Sequence, residues 1–497
     1  MTGRLRTILL LLLAVGLLFG VSQAQRVLNR ERDQLGLTRV APLENAPPVL
    51  AFTTVALGGF RGLISNALWI RANDLQDDGK YFEMVQLADW ITKLEPHFTQ
   101  VWLVQAWNMA YNISVKFKDA PDRWRWVRSG IELLRDDGLR YNPNETLIYR
   151  ELGWFFQHKM GANLDDAHMY YKQAWANEMA TVLGTNFTKV NWDILSHPAT
   201  REELERTALL TNKFKMDPQF MKNVDERYGP LEWRLPEAHA IYWAALGLEK
   251  AKLNERKTNP EELITLRRVI YQSMQLSFQR GRLVANQFQK KFEFGPNLEI
   301  IPKVSAAYEQ AMIEDEKNRD HISKAHKNLL KDVVYFLYTY NREKDAAYWF
   351  KYLREKYPEA IPANQTLDEY AVSRVEEEMG DTSRDRMKGM LEGMIASSFY
   401  NLAIDEDDRA VALDRLAQRA LTRFQTKIAS SEERVGLPPL SEIKKIILDR
   451  VLDREHGFPP EMRGVLRTKL RMPAESAPAP ASTNAPPVAA SKQVTTP

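Results

Sequence analysis

The chain has 497 residues, 44% of them hydrophobic and 27% charged, which is enough apolar material to fold most of its length. Its 68 basic and 65 acidic residues leave a net charge of +3, too weak a field to argue for a nucleic-acid partner. With no cysteine, disulfides, thiolate nucleophiles and cysteine-held zinc or iron–sulfur centres are excluded.

At the N-terminus, Arg4 and Arg6 precede an unbroken apolar run at residues 8–21. Ser22 and Ala24 then form a small-x-small pattern ahead of Gln25. Charge, length and the small residues match a secretory signal peptide. The run is also nearly long enough for an uncleaved signal-anchor, which needs roughly 17–25 apolar residues. Arg26, Arg30 and Arg32 balance the basic residues before the run, so charge does not choose between the two. Either alternative puts the body across the inner membrane: tethered on its outer, periplasmic side, or released to the periplasm after cleavage near Ala24. Residues 1–24 are therefore read as signal peptide or signal-anchor helix. Residues 25–61 read as a polar linker closed by Pro47-Pro48, followed by an apolar lead-in at 49–60 too short to span a bilayer.

Repeats occupy residues 62–180. The first hairpin is predicted as helices 63–78 and 81–94, broken at Asp77-Asp78-Gly79 and stopped before Pro96. The second is predicted as 98–115 and 122–135, with an enlarged turn at 116–121 and an end at Asp136-Asp137-Gly138. The third is predicted as 145–159 and 165–179, with Asn163 or Asp165 as N-cap. Residues 181–320 are irregular, with loops at Tyr228-Gly229-Pro230 and Leu235-Pro236 and one repeat near 240–280. A long helix is expected over 260–289. Residues 321–472 return to helical hairpins: one ends at Pro358, and further helices are predicted over 367–379, 384–402, 405–427 and 440–469. Residues 473–497, rich in Ala, Pro, Ser and Thr, have a composition that cannot bury a core. No stretch sustains period-two alternation, so the expected class is all-α with little or no sheet.

A large–small–proline rhythm runs through these segments. It is carried by Ala72, Gly79, Tyr81, Ala88 and Pro96, then Trp102 and Ala106, then Tyr149, Leu152, Gly153, Phe156, Ala167 and Tyr171. It returns at Trp243, Leu246 and Gly247, and again at Ala346, Phe350 and Pro358. In this the chain resembles the tetratricopeptide repeat family, and as a whole it resembles bacterial membrane-anchored members of that kind. The resemblance implies an α-solenoid of antiparallel helix hairpins that binds other proteins. Met84 departs from the family's small residue, and 181–235 and 280–320 lose the phase. Ala72, Ala106 and Gly153 are expected where neighbouring helices approach closely.

Nine of the twelve tryptophans fall between Trp69 and Trp192, so most are expected in packing. The resemblance separates some of them: its groove positions map to Trp69, Asn73 and Gln76, to Leu103, Trp107 and Tyr111, and to Arg150, Trp154, Gln157 and His158. Aromatic area beside amides and a guanidinium suits a peptide-gripping surface. No His-Glu-x-x-His spacing, phosphate loop, Gly-x-Ser-x-Gly elbow or dinucleotide fingerprint occurs, so no metal, cofactor or catalytic residue is assigned. Asp165-Asp166 beside His158 and His168 reads as a helix start with acidic residues at its positive end. Arg123, Arg125 and Arg128 interleave with Trp124 and Trp126, read as arginines extending outward around an inward Trp126. The expected role is a membrane-tethered scaffold for protein–protein interaction in the bacterial envelope. The alternatives are a helical envelope enzyme with its site in 181–320, or a self-assembling structural protein.

Overall fold

The computed structural model describes residues 3–34, 61–184, 190–253, 259–286, 291–379, 384–428 and 437–475. The protein is predominantly helical, with one two-stranded sheet among the described residues. The lead-in at 49–60, linker residues 35–48 and tail residues 476–497 lie outside the described residues.

Helix α1 (Gly3–Gln34) carries the apolar run and continues ten residues into the stretch read as linker. Leu12, Leu17, Leu18 and Phe19 are all exposed on it. Among the described residues no helix is long and apolar enough to cross a membrane.

The chain divides into two compact units. The first holds residues 1–282 and 294–323, the second 283–293 and 324–497. Unit 1 opens with α2 (Arg61–Asp77) and α3 (Tyr81–Leu94). Gly79 turns the chain between them at φ +71°, a conformation that costs glycine little. Ala72, Leu75 and Met84 form the buried seam of this pair, with Met84 filling the space beside the small Ala72.

Helices α4 (Thr99–Trp107), α5 (Ala120–Glu132), α6 (Thr146–Trp154) and α7 (His168–Leu183) follow. Three of them do not end where their α-helical hydrogen bonding ends. π-helical turns extend α4 over Asn108–Ile113, α5 over Leu133–Gly138 and α6 over Phe155–Gly161. The expected break at Asp136-Asp137-Gly138 is thus absent. Gly138 keeps right-handed helical angles, and the helix runs on to Tyr141 before Asn142-Pro143 stops it. The same tripeptide turns the chain at Gly79, so tertiary packing decides its conformation. α4 and α6 open alike: the Trp102 indole N–H donates to the Pro96 carbonyl at 2.9 Å, and the Tyr149 hydroxyl to the Pro143 carbonyl at 2.7 Å.

The later part of unit 1 comprises α8 (Trp192–Ser196), α9 (Arg201–Asn212), α10 (Pro218–Tyr228), α11 (Pro236–Lys252), α12 (Pro260–Arg280) and α13 (Ile301–Glu314). α11 is buried along most of its length and packs on α6 and α12. Two glycines permit the approach to α6. A Cβ on Gly247 would lie 2.7 Å from Tyr149 Cβ, and one on Gly153 would lie 3.2 Å from the Ala240 carbonyl oxygen. α12 ends at Gly281, short of the expected residue 289, and strands β1 (Arg282–Asn286) and β2 (Lys291–Gly295) follow. Strands of five residues are too short for alternation to stand out in sequence.

Unit 2 takes most of α14 (Arg319–Thr339), then α15 (Glu343–Lys356), α16 (Leu367–Met379), α17 (Arg384–Ala403), α18 (Asp407–Ile428), α19 (Leu440–Val451) and α20 (Pro460–Lys469). Its core includes Leu330, Val334, Phe350, Leu353 and Tyr370. α17 lies along α18. The single segment expected over 440–469 is two helices, because Pro459-Pro460 starts a new one.

Candidate functional site

Trp107 and Trp154 are each the last α-helical residue before a π turn. Four residues on, inside those turns, stand Tyr111 and His158. The side chains repeat one arrangement. Trp107 stacks on Tyr111 with ring centroids 4.1 Å apart, and Trp154 on His158 at 4.5 Å. Tyr111 and His158, 47 residues apart in sequence, join the two pairs through a 3.1 Å hydrogen bond between the hydroxyl and Nδ1. Four aromatic rings from two successive hairpins therefore form one strip. Trp107 is 40% exposed, and Trp154 is half-buried. Phe155 meets Tyr111 edge-on from below at 5.6 Å.

A buried ionic cluster underlies the strip. Lys159 Nζ stands 5.0 Å from the centre of the Tyr111 ring and donates to Asp165 Oδ2 at 2.6 Å. Asp165 Oδ1 also accepts from Arg123 at 3.1 Å, Tyr171 at 3.2 Å and the Ala167 backbone N–H at 2.8 Å. Burial works to raise the Asp165 carboxyl, but the bonds from Lys159 and Ala167 and the charges of Lys159 and Arg123 hold it below the usual range. Burial takes Lys159 below its ordinary value, with its bond to Asp165 opposing. Burial, then the charge of Glu151, pushes the Tyr111 phenol up, so it stays protonated at neutral pH. Burial and the Lys159 ammonium lower the His158 imidazole, which is therefore neutral at the same pH. The strip is thus an uncharged aromatic surface with hydroxyl and imidazole edges over a rigid charged base. It is suited to stacking and hydrogen bonding.

The other groove residues named from the sequence are placed differently. Leu103 is buried. Gln157 is 5% exposed and donates to Gln272 Oε1 at 3.2 Å, so it faces inward onto α12. Arg150 is half-exposed and paired with Glu151 at 2.8 Å. Trp69 packs on the Ala88, Ile91 and Val101 cluster and lies 6.1 Å from the Phe98 ring. Asn73 and Gln76 are exposed. No ring contact or hydrogen bond among the described residues joins Trp69, Asn73 or Gln76 to the strip. Sequence reading missed the supporting role of Lys159, Asp165 and Arg123. The available signal was a lysine and an aspartate flanking the Gly161-Ala162-Asn163 turn. Of the interleaved tryptophans, Trp124 is the buried one, while Trp126 is half-buried against Phe117 and Phe82.

Cavities elsewhere among the described residues include one in each unit. One, of about 790 Å³, sits in unit 2 between α16 and α18, where Arg419 pairs with Asp368 at 2.6 Å. The other, of about 510 Å³, sits in unit 1 between α10 and α11 and is lined by a single carboxylate, Glu249. No cluster of three or more His, Asp or Glu side chains arranged to hold a metal occurs among the described residues.

Comparison of the chain with protein-family models, with curated proteins and with solved structures gave no match.

Proposed function

We propose that the chain is a membrane-tethered helical-repeat scaffold of the bacterial envelope, without catalytic activity, that grips a peptide or partner subunit on the strip formed by Trp107, Tyr111, Trp154 and His158. The observation that carries this reading is the repeated stacking of Trp107 on Tyr111 and Trp154 on His158, bridged into one part-exposed surface. Part-exposed tryptophans fixed in place lose little side-chain entropy on contact, which is what makes such residues binding anchors. The α-solenoid arrangement rests on the packed helix pairs joined by short turns and on the like openings of α4 and α6. Tethering rests on the run at 8–21, whose side chains from Leu12 to Val21 are exposed in α1.

A photo-crosslinking amino acid placed at Trp107 in the anchored protein tests the groove. The expected result is a discrete adduct from position 107 that disappears with Trp154→Ala and is absent when the probe replaces the exposed Tyr348. An identical adduct pattern from positions 107 and 348 removes the strip from the reading. Alkaline extraction of membranes tests the tether separately.

A further inference from the structure

The cavity between α10 and α11 is lined by apolar side chains and two cations. Phe220, Val224 and Tyr228 recur at helical spacing along α10, and Leu246 lies opposite on α11. The Phe220 ring meets Tyr242 of α11 at 5.3 Å, and further along both helices Tyr228 and Glu249 line the same cavity. The two helices therefore run alongside each other in the same direction. Arg227 and Lys250, each near its helix's C-terminal end, both line the cavity. Neither makes an ion pair among the described residues. Glu249, the only acid in the lining, is held by Lys252 through both oxygens at 2.8 Å. At about 510 Å³ the cavity is within the roughly 300–1,000 Å³ range of small-molecule sites.

We propose that this cavity binds a free single-chain amphipathic anion, a long-chain carboxylate, with its chain along Phe220, Val224 and Leu246 and its head on Arg227 and Lys250. The charge pattern selects this class. A neutral apolar ligand leaves Arg227, which lies over the Tyr228 ring at 5.1 Å, and Lys250 without a counter-charge, and a compact anion leaves the apolar wall wet. The Tyr228 hydroxyl, which burial keeps protonated, adds a neutral donor beside the cations.

The test uses the full chain in nanodiscs of zwitterionic lipid, with a diazirine-bearing long-chain carboxylate and the alcohol of equal length as probes. Labelled peptides are mapped by mass spectrometry. Saturable labelling of α10 and α11 by the carboxylate is expected, at concentrations about tenfold below those the alcohol needs, since a charge-assisted hydrogen bond contributes on that scale. Arg227→Gln with Lys250→Gln should remove that tenfold preference and leave alcohol labelling unchanged. These are surface changes that spare the fold. Leu246→Trp should block both probes, with a thermal melt confirming that the variant is folded. Equal labelling by acid and alcohol in the unaltered protein overturns the proposal. So does labelling confined to α1, or association seen only with anionic vesicles.

Discussion

Asp165→Asn tests whether the aromatic strip stands on a working ionic base. The substitution keeps shape and removes the charge that compensates Lys159 and Arg123, whose side chains are 4% and 15% exposed. Breaking a buried pair by removing one partner costs about 3–5 kcal/mol, because the remaining charge stays desolvated. Lys159→Met added to Asp165→Asn removes the stranded ammonium and should recover about 2 kcal/mol or more, a coupling that a double-mutant cycle isolates. Tryptophan fluorescence during urea unfolding is the assay. Eleven of the twelve tryptophans belong to unit 1 and only Trp349 to unit 2, so the signal reports the unit that holds the cluster. The pH dependence follows from the same bonds. Asp165 has a folded pKa below its unfolded one, so its contribution is complete above the unfolded value of about 3.9 and is lost as pH falls through the lower folded value. The variant should lack that acid-side component. A loss under about 1 kcal/mol for Asp165→Asn, or no recovery with Lys159→Met, would refute the reasoning.

Gly247→Val places a branched side chain 2.7 Å from Tyr149 Cβ and should lower stability by about 2–3 kcal/mol, read as a thermal-melt shift. An unchanged melting temperature would mean that α6 and α11 separate freely. His239 is fully buried, with its pKa lowered from 6.5 to about 4, chiefly by burial. Between those values only the unfolded state binds the proton, so stability falls as pH drops, by about 2 kcal/mol from pH 7 to pH 5. His239→Gln should flatten that part of the pH–stability curve, and an unaltered slope would exclude His239 as its source. Trp107→Ala should weaken partner capture about tenfold or more, as expected of an anchor residue, while costing the fold little because Trp107 is 40% exposed. A large loss of stability without loss of capture would make it a packing residue.

Much of the helical layout was legible because caps and breakers are local. The 81–94 and 367–379 helices coincide with Tyr81–Leu94 and Leu367–Met379. Ala72 and Gly153 sit at tight contacts, where their small size was expected to matter. Harder to read were features set by packing. The repeat phase picked out Trp107, Tyr111, Trp154 and His158, yet it also picked Gln157, which faces inward. A π turn rotates the residues after it away from the 3.6-residue register, so positions counted on an ideal helix drift once Phe155 is passed. Asn163 or Asp165 was expected as the N-cap of α7, but that helix begins at His168 with Ala167 in that place, and Asp165 accepts from the Ala167 N–H in the turn ahead of it. Its partners Arg123 and Lys159 come from two other helices; Lys159 faces it across the Gly161-Ala162-Asn163 turn, while Arg123 lies 42 residues away, where local pattern carries no trace of it.

The short strands β1 and β2 bear on how the molecule is made. The chain passes from unit 1 into unit 2 at Arg282, back at Phe294, and out again after Ser323. A ribosome therefore delivers residues 283–293 of unit 2 before unit 1 has received α13. The Tyr400 hydroxyl that bonds Glu293 emerges more than a hundred residues later. During that interval the hairpin waits without the helices it belongs with. No single cut in the chain yields both units whole, so a fragment ending at residue 323 carries an orphan hairpin, and one starting at residue 324 lacks a piece of its own unit.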